Sequence, residues 1–366
     1  MSAPSRRNES LDVLRCVAVL LVVGYHLPYY RLWSRIGWIG VDLFFVLSGF
    51  LISGLLFQEY KDTGTLNIKR FLIRRGLKIY PAFYLLIAMT AVLSLLDHSA
   101  ALRTQVAVSA VFAQNYYAGT TYKLLAHTWS LAVEEHFYLL LPLLLMLFIA
   151  VRGSREPFRA IPALFAALAL LCLSFRCFML PTQTDAHMTH MRIDSLFAGV
   201  TLGYLYHFRR TIFDRLAGHY ALPLALALCL PVTLFDERAP GIQTFGLSGL
   251  FVGFSFLLAW AIVRTPRSSV GRAVCRVAAR VGFYSYSIYL WHTILVDAFD
   301  YYPTLSAAKF WTYIATTVLV GIAMGHLVEM PYLALRERLF PPSQNVPQPL
   351  VPSAQRSTLP SVSAPA

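Results

Sequence analysis

Charged residues are scarce in this chain. Asp, Glu, Lys and Arg make up 13% of its 366 residues, whereas hydrophobic types make up 57%. Soluble domains carry about 25% charged residues on average. This composition excludes a water-soluble globular core and predicts a protein built into a lipid bilayer.

Cysteine is also scarce, and its five positions follow no metal-binding or disulfide pattern. All five lie in or beside apolar segments, and none belongs to a CxxC pair. The sequence therefore indicates neither a disulfide framework nor a cysteine-based zinc site. No internal repeat of fixed period is visible, unlike in transporters built from two related halves.

What the chain has in abundance is long apolar runs. Ten stretches of roughly 16 to 22 residues have the length that crosses hydrocarbon. We predict an all-α, polytopic membrane protein with about ten transmembrane helices, and one membrane domain over residues 11–335. The predicted spans are 11–30, 38–57, 79–97, 131–151, 160–180, 193–208, 220–235, 244–263, 283–300 and 308–329. A further segment, 104–117, is too short and polar for a span, so we expect it to be re-entrant or interfacial.

Basic residues are concentrated in alternate loops. The net charge is +13, and residues 61–78 and 264–280 are typical of the basic loops. The positive-inside rule then places both termini in the cytoplasm of a bacterial cytoplasmic (inner) membrane. We thus expect a bilayer partner and no nucleic acid. Residues 1–10 are predicted to be a cytoplasmic N-terminus, with the first run an uncleaved anchor, and the Pro- and Ser-rich residues 336–366 a disordered cytoplasmic tail.

Arg15 and His26 are the most informative polar residues, because both interrupt the first apolar run. Eleven residues are almost three helical turns, so the two side chains share one helix face, roughly 16 Å apart along the axis. An arginine at membrane depth costs on the order of 2 to 3 kcal/mol. We interpret this helix as one wall of a reaction cavity.

A basic cluster precedes the third run and includes Arg74, Arg75 and Lys78. Two interpretations compete. The cluster is either an amphipathic helix resting on anionic headgroups or a surface that binds the phosphates of a cytoplasmic donor, such as a nucleotide or coenzyme A.

Three other polar features have structural explanations of their own. Glu134 begins a span, where a carboxylate is stabilised by the helix dipole. Arg192 and Asp194 are close enough in sequence to neutralise each other as an ion pair. His292 lies beside interfacial aromatic residues and is typical of a membrane anchor or of a side chain whose hydrogen bonds are satisfied.

These segments together resemble one family, the integral membrane acyltransferases of the acyltransferase 3 type. LDVLRCVAVLLVVGYH resembles its opening motif of arginine, ten residues and histidine, met by Arg15 and His26. The other similar segments are GVDLFFVLSGFLISG, RRGLKIYP, WSLAVEEHFYL, RIDSLFAG, SYSIYLWH and EMP, in that order along residues 10–335.

The resemblance implies an enzyme that transfers an acyl group, commonly acetyl, from cytoplasmic acyl-coenzyme A to a hydroxyl of a cell-envelope or exported glycan. It implies acetyl-CoA as the donor substrate, with no metal. We assign His26 as the general base and regard a covalent acyl-histidine as the rival mechanism. Arg15 and Glu134 complete the predicted catalytic set, Glu134 either orienting the base or pairing with an arginine. Arg74, Arg75 and Lys78 are predicted to bind the donor.

The chain departs from the family's pattern at two points. The usual arginine, two residues, arginine motif ends here in Lys78, which keeps the charge but loses bidentate geometry. The sequence also does not continue into the hydrolase-like domain of some members, so we expect the membrane domain to carry out the transfer.

Two other functions stay open at this point. Buried arginine and histidine also suit a proton-coupled transporter or flippase, which acetyl-CoA dependence would distinguish. A membrane metalloenzyme using His127, His136, His187 and His190 is the third alternative, although no zinc-type signature accompanies these residues.

Overall fold

The computed structural model describes residues 9–96, 98–117, 123–152, 156–179, 186–264, 268–300 and 306–341, without the side chains of residues 152, 297 and 300. Every regular element in these ranges is helical. The predicted N-terminal segment lies almost wholly outside them, as does the predicted tail beyond residue 341. The all-α prediction is confirmed for the described part of the chain.

Seventeen α-helices follow one another along the described chain. They are α1 Glu9–Tyr25, α2 Arg31–Ile36, α3 Gly40–Thr63, α4 Ile68–Leu96, α5 Ala100–Ala110, α6 Lys123–Ala126, α7 Trp129–Arg152, α8 Ile161–Met179, α9 Thr189–Phe208, α10 Arg210–Leu216, α11 Ala221–Cys229, α12 Pro231–Leu234, α13 Leu247–Val263, α14 Ser269–Phe283, α15 Ser285–Asp300, α16 Ala307–Met324 and α17 Met330–Leu339. Short 3₁₀ or π segments precede α3, α6, α8, α13 and α17.

Among the described residues, six helical segments are long and apolar enough to cross a membrane, and a seventh results if a pair bent by 63° is one span. The six are Arg31–Thr63, Ile68–Leu96, Lys123–Val151, Pro157–Met179, Ile242–Val263 and Ala307–Leu339, and the bent pair is Arg210–Leu216 with Ala221–Leu234. The chain is thus a multi-pass helical protein.

The prediction of about ten spans is not confirmed, although all ten predicted segments contain helix. α1 has 17 residues and α15 has 16, both a little short for an isolated span, and α9 carries Arg192 and Asp194 in its first turns. α5, which overlaps the segment expected to be re-entrant or interfacial, has 11 residues. α17 continues through Leu339, past the predicted domain boundary at residue 336.

Two glycines bring α3 and α9 into backbone contact at the centre of the protein. A Cβ on Gly49 would lie 1.9 Å from the Leu196 carbonyl oxygen, and one on Gly199 would lie 2.1 Å from the Val46 carbonyl oxygen. Small residues allow such close approach between membrane helices. The contact holds α3, which lines the site described below, against α9.

Four buried charged side chains form two ion pairs that link α3, α8 and α9. Arg192 of α9 pairs with Asp42 of α3 at 2.8 Å, and Arg176 of α8 pairs with Asp194 of α9 at 2.8 Å. Arg176 also donates to the Met191 carbonyl at 2.6 Å. The prediction that Arg192 and Asp194 pair with each other is therefore wrong, because each finds its partner on another helix.

Replacing Arg176 with Leu is expected to lower stability by about 3 to 5 kcal/mol, because it leaves the fully buried carboxylate of Asp194 without its cation. The measurement is the thermal unfolding midpoint of the purified protein in detergent. Arg209→Gln is the control, since Arg209 forms an exposed pair with Glu156 at 2.7 Å, and exposed pairs contribute about 1 kcal/mol or less. Equal midpoints for the two variants would contradict the prediction.

Candidate active site

A cationic cavity lies among α1, α3, α4, α7 and α15, with a volume of about 750 Å³. Its charged lining consists of three cations, Arg15, Arg75 and Lys78, and one carboxylate, Glu134. The excess of positive charge in a space walled by apolar side chains suits an anionic or strongly polarised ligand. Two of the three predicted donor-binding residues and two of the three predicted catalytic residues therefore meet in one place.

Glu134 is held within this cavity by its own helix. The Tyr138 hydroxyl, one turn along α7, donates to the Glu134 carboxylate, and Ser48 of α3 lies 2.9 Å from the same hydroxyl. The Arg75 guanidinium lies over the Tyr138 ring, 5.4 Å from its centroid. Glu134 thus belongs with the arginines rather than with His26, which lines a different cavity.

Arg74 and Lys78 are placed differently from Arg75. Arg74 forms an ion pair with Glu337 of α17 at 3.0 Å and donates to the Phe340 carbonyl, and it does not line the cationic cavity. Lys78 lines this cavity and also a neighbouring one between α4 and α17. The predicted role of Arg74 in donor binding has no geometric support here and stays a prediction.

A second cavity, the histidine cavity, has a volume of about 990 Å³. His26, just beyond the end of α1, lines it together with His127 and His187. Trp38, Trp129, Glu237 and Gln243 supply aromatic and hydrogen-bonding groups to the same lining. Aromatic faces flanked by polar side chains are well suited to a sugar.

The two cavities meet at a shared wall. Val41 and Tyr289 line both of them. Tyr289 is tethered by its hydroxyl, which donates to the His127 carbonyl at 2.8 Å and lies 2.6 Å from the Ser130 hydroxyl. Arg15 therefore lies in one cavity and His26 in the other, with a wall one or two side chains thick between the spaces.

The rings of His26, His127 and His292 come from three parts of the chain and lie together beside this wall. The ring centroids of His26 and His292 are 4.7 Å apart, and those of His127 and His292 are 4.9 Å apart. Nδ1 of His26 lies 2.9 Å from the Val22 carbonyl oxygen and 3.3 Å from Nε2 of His292. His292 is fully buried and His127 nearly so.

Backbone carbonyls determine which ring nitrogens carry the protons. Because a carbonyl oxygen only accepts, Nδ1 of His26 must be the protonated nitrogen that donates to Val22. Nε2 of a neutral His26 is then the basic nitrogen. By the same reasoning His127 donates from Nε2 to the Leu290 carbonyl at 3.2 Å, which leaves its Nδ1 as an acceptor that has no partner among the described residues.

Sequence reasoning missed this histidine cluster. It treated His292 as an anchor or a side chain with satisfied hydrogen bonds, and it considered His127 only as a metal ligand. The signal available for His292 was that it is an ionisable residue inside an apolar helical stretch, where such a residue is costly without a functional role. His127 lies in the turn between α6 and α7 and carried no such signal.

The histidines of the metalloenzyme alternative are dispersed in the structure. His187 stacks on Trp129 with centroids 4.2 Å apart, His136 lies 2.7 Å from the Thr189 hydroxyl, and His190 packs on Tyr116. Within the described ranges, no group of three or more His, Cys, Asp or Glu residues is arranged to hold a metal ion.

These observations define a class: a multi-pass helical membrane protein with two polar cavities that meet in its interior. Comparison with known families makes the assignment specific. The model of the acyltransferase 3 family, described as an acyltransferase domain, matches residues 8–326. The chain belongs to this family.

Curated relatives are named as O-acetyltransferases. The peptidoglycan O-acetyltransferase OatA of Listeria monocytogenes is 28% identical over 352 residues, which cover 88% of this chain and 55% of the relative. The putative peptidoglycan O-acetyltransferase YrhL of Bacillus subtilis is 30% identical over 358 residues, covering 89% and 55%. A putative O-acetyltransferase of Staphylococcus aureus is 26% identical over 353 residues, covering 89% and 57%.

The chain spans little more than half the length of these relatives. No solved structure matches it.

Proposed function

We propose that this protein is a membrane O-acyltransferase that moves an acetyl group from cytoplasmic acetyl-CoA to a hydroxyl of a cell-envelope glycan. The observation that carries the proposal is the pair of cavities that meet at Val41 and Tyr289, one lined by Arg15, Arg75 and Lys78 and the other by His26. The acyltransferase family and the names of the O-acetyltransferase relatives support it.

The proposed location is a bacterial cytoplasmic membrane, with both termini in the cytoplasm and about ten spans. The basic loops support this orientation through the positive-inside rule. In this orientation Arg15, near the start of α1, faces the cytoplasmic side, and His26, at its end, faces the outer side. The donor then enters the cationic cavity and the glycan enters the histidine cavity.

Donor binding is assigned to the cations of the first cavity. Guanidinium and ammonium groups form charge-assisted hydrogen bonds with phosphates, and such bonds are stronger than neutral ones. Arg15, which lines this cavity from α1, is assigned to donor binding together with Arg75 and Lys78 of α4. Glu134 positions Arg75 through Tyr138, which its carboxylate holds against the guanidinium.

His26 is assigned as the general base. Its Nε2 removes the proton from the acceptor hydroxyl while the hydroxyl oxygen attacks the thioester carbonyl carbon. The carbon–sulfur bond then breaks, and the proton on His26 passes to the departing sulfur of coenzyme A. Direct transfer of this kind needs the acceptor oxygen and the thioester to meet at the wall between the cavities.

The acceptor class follows from the lining of the histidine cavity. Trp38 offers a flat apolar face, and Glu237 and Gln243 offer hydrogen-bonding groups. This combination suits pyranose rings, which have apolar faces and hydroxyl edges. Two relatives carry names that specify peptidoglycan, so a cell-wall glycan is the first acceptor to test.

The test is to incubate membranes that contain the protein with acetyl-CoA labelled in the acetyl group and with total envelope glycan. Base-labile label should appear on the glycan, because O-acetyl esters are cleaved by mild alkali. Membranes from cells without the protein are the control. Equal label in both would overturn the proposal, and uptake or efflux of glycan without acetyl-CoA would instead favour a transporter.

A further inference from the structure

His292 is the least accessible member of the histidine cluster. Its side chain is fully buried, and it is not among the described residues that line the cationic or the histidine cavity. A ligand in either cavity therefore does not touch it. Any effect of His292 on the reaction must act through a neighbouring side chain.

The protonation of His292 is fixed by its own helix. Nδ1 lies 2.6 Å from the Tyr289 carbonyl oxygen, so this nitrogen carries the proton and donates it. Nε2 is then a lone-pair acceptor, and it lies 3.3 Å from Nδ1 of His26. The Nδ1–H of His26 thus has two acceptors within reach, the Val22 carbonyl at 2.9 Å and Nε2 of His292.

We propose that His292 is a positioning residue for His26. Its Nε2 accepts from Nδ1–H of His26, which holds the ring so that the other nitrogen faces the histidine cavity. The inference rests on the proposed function, in which His26 is the base. It adds His292 of α15 to a site whose base, His26, follows the end of α1.

The contact matters most when His26 is protonated. Taking a proton from the acceptor gives His26 a positive charge, and a hydrogen bond from a charged donor is stronger than one from a neutral donor. His292 stays neutral, because its Nδ1 is already protonated and its Nε2 is engaged. His127 packs on the far side of His292, with centroids 4.9 Å apart, and limits the movement of its ring.

Two substitutions separate positioning from simple packing. In His292→Gln, the amide reaches the place of Nε2 and accepts from His26. In His292→Asn, the shorter amide donates to the Tyr289 carbonyl in place of Nδ1 but does not reach His26. Both replace the ring by an amide, so the loss of aromatic packing is similar.

The measurement is steady-state transfer of labelled acetyl from acetyl-CoA to envelope glycan by the full chain in membranes. We expect kcat to fall about 10- to 100-fold in His292→Asn, a range typical of residues that orient a catalytic group, and less than fivefold in His292→Gln. KM for acetyl-CoA should change less than twofold in both. Amounts of folded protein are matched by detergent gel filtration.

Similar kcat values in the two variants, or a lower value for His292→Gln, would overturn the positioning role. His26→Ala is measured alongside. If that variant retains wild-type activity, the proposed function of His26 fails. If it is inactive while His292→Asn has wild-type activity, the inference about His292 alone fails.

Discussion

His26→Ala is expected to lower acetyl transfer about 10²- to 10⁴-fold, the range that a positioned general base contributes. Alanine removes the only imidazole that α1 and its end contribute to the histidine cavity within the described chain. The measurement is base-labile label on envelope glycan at equal amounts of membrane protein. The free energy of unfolding should change little in this variant, because His26 is only partly buried.

The matched control is His326→Ala. His326 is also a histidine in a predicted span, but it contacts Tyr284, 2.8 Å from the hydroxyl, and lines neither cavity. Its activity should stay within about threefold of wild type, the effect expected of a change within ±0.5 kcal/mol. Full activity in His26→Ala would remove this residue from the chemistry.

Labelling and kinetic experiments on the wild-type protein distinguish direct transfer from an acyl-histidine intermediate. In the absence of glycan, a covalent route leaves labelled acetyl on the protein, and its steady-state kinetics are ping-pong. Direct transfer leaves no label and requires both substrates to be bound together.

Arg75→Gln is expected to raise KM for acetyl-CoA about 10- to 100-fold, because a hydrogen bond to a charged group contributes about 1.5 to 3 kcal/mol. Arg75 lines the cationic cavity beside Tyr138, so its charge faces the space assigned to the donor. The measurement is the dependence of acetyl transfer on acetyl-CoA concentration at saturating glycan.

The matched control for Arg75→Gln is the same substitution at Arg74. Arg74→Gln removes the same charge from the adjacent position, but Arg74 points towards Glu337 and the Phe340 carbonyl. We expect a change in KM below threefold. Equal increases in both variants would support the predicted donor role of Arg74, and no increase in either would return this cluster to the headgroup-binding interpretation.

The sequence predicted helices well and the number of spans less well. All ten apolar stretches are helical, yet α1 and α15, with 17 and 16 residues, fall short of a typical span. The buried charged groups Arg192 and Asp194 also lower the apolar character of α9. Length and hydropathy identify a span that faces lipid. They are poor indicators of a helix that is enclosed by other helices.

Within the site, the relative placement of residues in one apolar run could be predicted from the sequence. Contacts between residues of different helices could not. Arg15 and His26 follow from the spacing of a single run. Asp42 and Arg192 are 150 residues apart, and His26 and His292 are 266 apart. No periodicity within a helix indicates which faces of different helices meet, so the pairing of distant charges and the histidine cluster required the three-dimensional structure.

The wall formed by Val41 and Tyr289 also bears on the permeability of the membrane. Two water-accessible spaces that approach each other from opposite sides would short-circuit the proton gradient if they joined. A valine side chain and an aromatic ring separate them, and the Tyr289 hydroxyl links the Ser130 hydroxyl, which lines the cationic cavity, to the backbone of His127, which lines the histidine cavity. This hydroxyl is therefore the place where passage of a chemical group and passage of protons would have to be kept apart.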